Sequence, residues 1–286
     1  MNIKLSNPQK LLYPEDKISK ADLLHYYESV ADQMLPFIVN RPLTLLRCPE
    51  DYTQCFYQRH FNEATPPALK SIALKSKTKT EHYIYLTNKE GLFSLVQMGV
   101  LEVHPWGSQI SNIECPDWIT FDLDPGPKVS WKKVVEAALD VKGQLEKLEL
   151  KSFVKTTGGK GLHVVVPINA KYSWDDVKLF SKSFVELLAK LKPTAYVTNM
   201  AKSRREGKIF LDYLRNQRTA SAVSLYSTRA KPHAPVSTPL AWEELSTRKS
   251  DNDYTMTSIL KRLQGLKSNP WKTFWTMQQS LPMKSS

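Results

Sequence analysis

The chain has 286 residues, 41% of them hydrophobic and 24% charged, which is enough apolar material for one large domain or two small ones and too much for a disordered chain. Lysine and arginine outnumber the acidic residues by 40 to 28, a formal net charge of +12, and that excess suggests a polyanionic partner, most simply nucleic acid or a nucleotide. The N-terminus has no apolar run long enough for a signal peptide or a membrane span, so nothing in it points to export or anchoring.

Residues 1–18 are polar and irregular, with Pro8 and Pro14. Ser19-Lys20-Ala21-Asp22 resembles a capping box, and Leu23, Leu24, Tyr27, Val30, Ala31 and Met34 form an apolar stripe, so a helix is expected from Ser19 to the neighbourhood of Pro36. β-like runs at 43–60, 70–76, 82–87 and 92–103 make the first hundred residues a mixed α/β region. Cys48, Cys55 and Cys115 are odd in number and no pair has zinc-ligand spacing, which reads as reduced structural thiols in a cytosolic protein.

After residue 117 the pattern becomes regular. A strand at 118–124 is followed by a helix from Ser130, with Trp131, Val134, Val135, Ala138, Val141, Leu145 and Leu148 on one face. Strands near 152–156 and 162–168 flank a Gly-rich turn. A second capped helix opens at Ser173-Trp174-Asp175-Asp176, with Val177, Phe180, Phe184, Leu187, Leu188 and Leu191 inward. A strand at 208–213 and β structure near 219–227 complete a β-α-β-β-α-β order, the split βαβ plan of ferredoxin-like and RNA-recognition folds. The stretch 227–252, rich in Pro, Ser and Thr, is expected on the surface, with one or two helices over 254–278.

Three constellations carry chemistry. In the strand Trp118-Ile119-Thr120-Phe121-Asp122-Leu123-Asp124, alternation puts Asp122 and Asp124 on the face opposite Ile119, Phe121 and Leu123, and Pro125-Gly126-Pro127 ends the strand there. Like charges so close shift each other's pKa values apart unless a cation separates them. A hard divalent ion suits that pair, although an isolated D-x-D is more often a solvated strand end. The second constellation is Lys155-Thr156-Thr157-Gly158-Gly159-Lys160-Gly161-Leu162-His163-Val164. Its glycines allow backbone N–H groups to approach a phosphate, Lys160 adds a mobile cation, and His163 lies in the outgoing strand. The spacing is not that of a P-loop. The third is Lys208-Ile209-Phe210-Leu211-Asp212-Tyr213, whose Asp212 approaches Asp122 and Asp124 if the strands carrying them are neighbours in the split βαβ sheet. Three carboxylates around one point would bind two divalent ions. Arg204, Arg205, Arg215, Arg218 and Arg229 add guanidinium groups suited to a triphosphate.

Asp-Leu-Asp-Pro-Gly, Thr-Gly-Gly-Lys-Gly-Leu-His-Val and Phe-Leu-Asp-Tyr, in that order, resemble the three catalytic motifs of the archaeo-eukaryotic primase superfamily, and within it the polymerase domain of bacterial ligase D. The resemblance covers essentially the whole chain. It takes in Asn7-Pro8-Gln9-Lys10-Leu11-Leu12-Tyr13-Pro14, Arg41-Pro42-Leu43, Cys55-Phe56-Tyr57-Gln58 and Leu101-Glu102-Val103-His104-Pro105-Trp106. It implies an α/β (α+β) primase-polymerase fold in one domain over 1–286. That domain would comprise an N-terminal α/β part (1–116), an RNA-recognition-like catalytic core (117–230) and a C-terminal surface segment with helices (231–286).

The same resemblance implies roles for individual residues. Asp122, Asp124 and Asp212 would hold two Mn²⁺ or Mg²⁺ ions. His104, Thr157, Lys160, His163, Arg205 and Arg229 would hold the nucleoside triphosphate. Lys10 and Lys20 would hold a 5′-phosphate across a break, and Phe56 and Tyr57 would stack on template bases. Threonine stands at 157 where the family usually has serine, and lysine at 231 where relatives often carry arginine. The implied activity is addition of ribo- or deoxyribonucleotides to a primer 3′ end at DNA gaps or breaks in non-homologous end joining, with Ku and an ATP-dependent ligase as partners in a prokaryotic, nucleoid-associated cytoplasmic setting. No ligase or phosphoesterase module is visible, so either an excised domain or a stand-alone polymerase is expected. A stand-alone primase, a two-metal nuclease and a non-catalytic DNA-binding module are the alternatives. The nuclease would not need the triphosphate grip, and the non-catalytic module would not need all three aspartates.

Overall fold

The computed structural model describes residues 5–75, 78–247 and 254–282. The chain divides into two units, one built from 1–111, 221–237 and 254–266, the other from 112–220, 238–253 and 267–286.

The first unit opens with β1 (Leu11–Tyr13) and β2 (Ile18–Ser19), paired antiparallel, and α1 (Lys20–Met34). The helix starts where expected because Ser19 and Asp22 close a reciprocal capping box. Its buried face is Leu23, Tyr26, Tyr27, Val30, Ala31 and Met34; Tyr26 takes the place foreseen for Leu24. β3 (Leu43–Arg47) lies between β4 (Phe56–Gln58) and a later strand, while β5 (Lys70–Lys75) and β6 (Thr80–Tyr85) form a hairpin. The expected β run at 92–103 is instead α2 (Lys89–Gln97), opened by an Asn88 cap on the Gly91 N–H, followed by β7 (Val100–Pro105) beside β3. Apolar runs of that length fit either state, and the cap decides between them.

Cys48 and Cys55 form a disulfide, so the expectation of three reduced thiols does not hold; Cys115 is the free cysteine. The cause is register. Arg47 is the partner of Phe56 in the β3–β4 hairpin, so the next residues toward the turn stand opposite each other, with their Cα atoms 4.2 Å apart.

In the second unit, β8 (Trp118–Pro125), α3 (Trp131–Glu146), β9 (Phe153–Thr156), β10 (Leu162–Pro167), α4 (Trp174–Leu191), β11 (Tyr196–Val197), β12 (Ile209–Asp212) and β13 (Pro239–Leu240) follow in order. The sheet reads β11-β12-β8-β10-β9-β13. β10 is antiparallel to both β8 and β9, and β12 is antiparallel to β8, the split βαβ arrangement. Ile119, Phe121 and Leu123 are buried, with the Phe121 ring 4.8 Å from that of Phe184 on α4. Leu148, Leu187 and Leu191 were expected inward and are exposed; on α4, Val185 and Ser181 are buried instead.

Residues 219–227 form no strand. In the first unit, Ser224 N–H bonds to the Val103 carbonyl, but the Val103 N–H goes to the Ser227 hydroxyl, so a side chain interrupts the ladder. The 227–252 stretch is only partly a surface run: Pro232, His233, Glu243, Ser246 and Thr247 are exposed. Ser227, Thr228, Ala234, Val236, Ser237, Thr238 and Leu240 are buried, and short hydroxyl side chains satisfy the backbone there, as in Thr228 to the Leu101 carbonyl. Its last residues lie outside the described ones. The chain returns to the first unit as α5 (Met256–Gly265), shorter than the expected 254–278 and followed by a 3₁₀ turn at Phe274–Thr276.

Thiol titration of the unfolded, unreduced chain is expected to find one reactive group, Cys115. Three reactive groups would remove the bridge.

Candidate active site

On β8, Asp122 is the register partner of both His163 on β10 and Asp212 on β12. Side chains in one row across adjacent strands share a face, so one imidazole and two carboxylates meet there, with Asp124 two residues further along the same face. The Asp122 and Asp212 side chains are 14% and 12% exposed and that of Asp124 is 52% exposed.

Cations separate these acids. The Arg215 Nε stands 3.2 Å from Asp122 Oδ2 and 3.4 Å from Asp212 Oδ2. The turn that carries it is fastened to β8 by Asn216, which accepts from the Thr120 N–H at 2.8 Å and donates to the Thr120 carbonyl at 2.9 Å. Arg205 donates to Asp124 Oδ2 at 2.8 Å and to the Met200 carbonyl at 2.7 Å, and its guanidinium lies 4.0 Å from the centre of the Phe210 ring. Gly126 permits this approach, since a Cβ there would stand 1.8 Å from the Arg205 carbonyl oxygen.

His163 Nε2 lies 3.4 Å from Asp122 Oδ1. Burial, then the Lys155 ammonium, lowers the His163 pKa to about 4, so its ring is uncharged at neutral pH. Burial opposes ionisation of Asp122, but the His163 and Arg215 groups facing it outweigh that and hold its carboxyl below the usual range. Burial, and then the charge on Asp122, raise Asp124 and Asp212. The three carboxylates therefore titrate apart, as like charges sharing one sheet face do.

The hairpin between β9 and β10 is internally braced. The Thr157 hydroxyl donates to the Gly161 carbonyl and accepts from the Gly159 N–H, both at 3.1 Å, while Gly158 takes φ +63°. Thr157 is buried and Lys160 exposed. Lys160 lines a cleft with Pro125, Gly126, Pro127, Lys128 and Trp131.

In the first unit, Phe56 and Tyr57 are exposed on β4, with the Arg47 guanidinium 5.3 Å from the Phe56 ring centre. Tyr57 meets the His104 ring at 6.3 Å in an edge arrangement. Glu102 Oε2 stands 2.8 Å from His104 Nε2 and 2.9 Å from Arg229 Nε. Lys10 pairs with Glu50 at 2.8 Å. Lys20 is buried, with its ammonium bonded to the Ser6 and Gln97 carbonyls and to Gln97 Oε1; burial, then Lys10, lowers its pKa.

Sequence reasoning passed over Glu102 and the role of Arg215. A signal existed for each. Glu102 precedes His104 by two on one strand, and Arg215 follows Asp212 by three.

Among the described residues, no three His, Cys, Asp or Glu side chains converge closely enough to hold one metal ion. The donor chemistry nevertheless fits a hard cation: three carboxylates sit at one strand end, two of them share a guanidinium, and two have pKa values raised by burial and by a neighbouring charge.

Residues 19–271 match the family of LigD primase-polymerase domains. The chain is 34% identical over 98% of its length to the multifunctional non-homologous end joining protein LigD of Pseudomonas aeruginosa, and 24% identical over 99% of its length to the bifunctional LigD of Bacillus subtilis. It spans 34% and 46% of those two proteins. Its fold is similar to that of a polymerase domain from Mycobacterium tuberculosis ligase D solved in complex with DNA, with a TM-score of 0.88, 27% identity and coverage of 96% of this chain and 98% of that one. The mixed α/β fold is thus that of a primase-polymerase domain. The chain belongs to the LigD primase-polymerase domain family. Among the described residues no helix is long and apolar enough to cross a membrane.

A pH dependence follows from His163. Its folded pKa of about 4 lies below the ordinary 6.5, so the unfolded chain takes up this proton first. The stability contributed by the uncharged ring is complete above pH 6.5 and is lost as pH falls toward 4, on the order of 3 kcal/mol in all. Urea unfolding of the wild type and His163→Gln across that window checks this; equal slopes would refute it.

Proposed function

We propose that this chain adds nucleotides to the 3′ end of a primer at gaps or breaks in DNA, as the polymerase component of a non-homologous end-joining system. The observation that carries this is the in-register row His163, Asp122, Asp212 with Asp124 beside it, in a chain of the LigD primase-polymerase family. Asp122, Asp124 and Asp212 would hold two divalent ions, Mn²⁺ or Mg²⁺. When bound, such ions supply the charge that activates a 3′-hydroxyl and stabilises a leaving pyrophosphate.

The chain's own residues supply the rest. Uncharged His163 beside Asp122 orients that carboxylate without neutralising it. Arg215 keeps Asp122 and Asp212 together despite their repulsion. Lys160, exposed at the tip of a braced hairpin, is assigned the role of a mobile counter-charge for a triphosphate, and Arg205 offers a planar donor fork at Asp124. Thr157 shapes the hairpin, and its buried hydroxyl acts first on the loop. His104 and Arg229, both in the first unit, are assigned to nucleotide binding. Phe56 and Tyr57 offer sequence-tolerant stacking faces for template bases. Lys10 and Lys20 are assigned to a 5′-phosphate. Ku and an ATP-dependent ligase are the proposed partners.

Asp122→Ala or Asp212→Ala is expected to abolish primer extension with Mn²⁺ and nucleoside triphosphates while DNA binding persists. The assay is gel analysis of a labelled primer, which also separates growth from shortening. Robust extension by either variant would exclude the assignment.

Replacing Lys10 and Lys20 together by alanine is expected to erase any preference for 5′-phosphorylated over unphosphorylated gaps, read as a ratio of DNA affinities. A ratio unchanged from wild type would move the phosphate site elsewhere.

A further inference from the structure

We propose that Glu102 is a positioning residue for nucleotide binding, holding His104 and Arg229 at once. Alternation along β7 places Glu102 and His104 on one face of that strand. The carboxylate is 4% exposed, whereas the His104 and Arg229 side chains are 13% and 17% exposed. The acid thus sits behind two groups that each keep an edge toward solvent.

Its contacts are specific. Oε2 is hydrogen-bonded to His104 Nε2 at 2.8 Å, Oε1 accepts the Ala230 N–H at 2.9 Å, and Oε2 forms an ion pair with Arg229, 2.9 Å from an Nε that is out of hydrogen-bond alignment. The backbone of Arg229 is held separately. Its N–H bonds to the Pro235 carbonyl at 2.9 Å, and its carbonyl accepts from the buried Tyr13 hydroxyl at 2.8 Å. With the main chain fixed by those bonds, the Glu102 contact orients the guanidinium.

An acid this buried is costly unless its charge is matched. Here the match is made by the two side chains assigned to the nucleotide. A single carboxylate sets the angle of both, so the fork of Arg229 and the ring of His104 are ordered before any triphosphate arrives, and less side-chain freedom is lost on binding. Burial works against ionisation of Glu102, but the His104 hydrogen bond and the Arg229 guanidinium hold its pKa at about 2, so the carboxylate is charged throughout the working range.

This inference rests on the nucleotide contacts proposed above for His104 and Arg229. The test is calorimetric titration of ATP, with Mn²⁺ present, into wild type, Glu102→Gln, His104→Ala, Arg229→Ala and the combined variants. Glu102→Gln is expected to weaken ATP binding roughly tenfold, the scale of one lost charge-assisted hydrogen bond, and to add no further loss in the His104→Ala/Arg229→Ala background. A merely structural residue would cost the same in both backgrounds, and that result overturns the proposal. So does wild-type affinity in Glu102→Gln when the two single variants are impaired. If His104→Ala and Arg229→Ala both bind ATP normally, the nucleotide contacts themselves are wrong, and that failure is recognisably different. Should Glu102→Gln not fold, Glu102→Asp carries the same cycle, since its shorter arm reaches both partners less well.

Discussion

The second unit is organised by the cost of bringing three carboxylates to one strand end. Like charges on one sheet face repel, and more strongly where burial lowers the local dielectric. The fold meets this in several ways at once. Arg215 bridges Asp122 and Asp212, Arg205 takes Asp124, and His163 stays uncharged. Each device depends on another backbone detail. Asn216 ties the Arg215 turn to β8, Gly126 admits the Arg205 backbone, and Gly161 admits the Leu123 carbonyl, which would lie 2.3 Å from any Cβ there. Gly126, at the strand-ending turn, and Gly161, in the Gly-rich turn, thus let the motif strands close on one another.

Much of this was readable because it depends on period and order. Alternation through Ile119, Phe121 and Leu123 put the aspartates on the opposite face, and the βαββαβ order put Asp212 beside Asp122, as the β12–β8 register shows. Capping boxes at Ser19 and Ser173 marked two helix starts. What escaped depends on contacts remote in sequence. The Cys48–Cys55 bridge follows from hairpin register, which a count of cysteines does not contain. Burial of 227–228 and 234–240 follows from backbone partners such as Leu101, far away in the chain. Leu187 and Leu191 are exposed although the helix's own period put them inward. In each case local pattern was overruled by tertiary partners that composition cannot name.

The two acidic centres solve the burial of charge differently. Glu102 is a single carboxylate enclosed by His104, Arg229 and a backbone N–H, so its charge is fully matched and its pKa falls to about 2. That balance leaves it nothing to offer a further ligand, which is why its part is orientation. The aspartate centre is not balanced. Three carboxylates face two guanidinium groups and an uncharged imidazole, beyond which the buried Lys155 stands in the same register row, and Asp124 and Asp212 still have pKa values pushed up, by burial and then by Asp122.

An unbalanced cluster of this kind is unusual for a purely structural network, whose members are stabilised when charges pair off. Arg205 and Arg215 reduce the repulsion without removing it, and Asp124, half exposed beside the cleft lined by Lys160, is the acid least enclosed by its partner. Raised carboxylates beside a depressed one, on one face of one sheet, form the pattern by which titratable groups at working sites are recognised. The residual demand for positive charge lies at the end of β8, where Pro125-Gly126-Pro127 stops the strand and opens the cleft. The chemistry of this domain is therefore best sought at that strand end, where the fold leaves its charge incompletely matched.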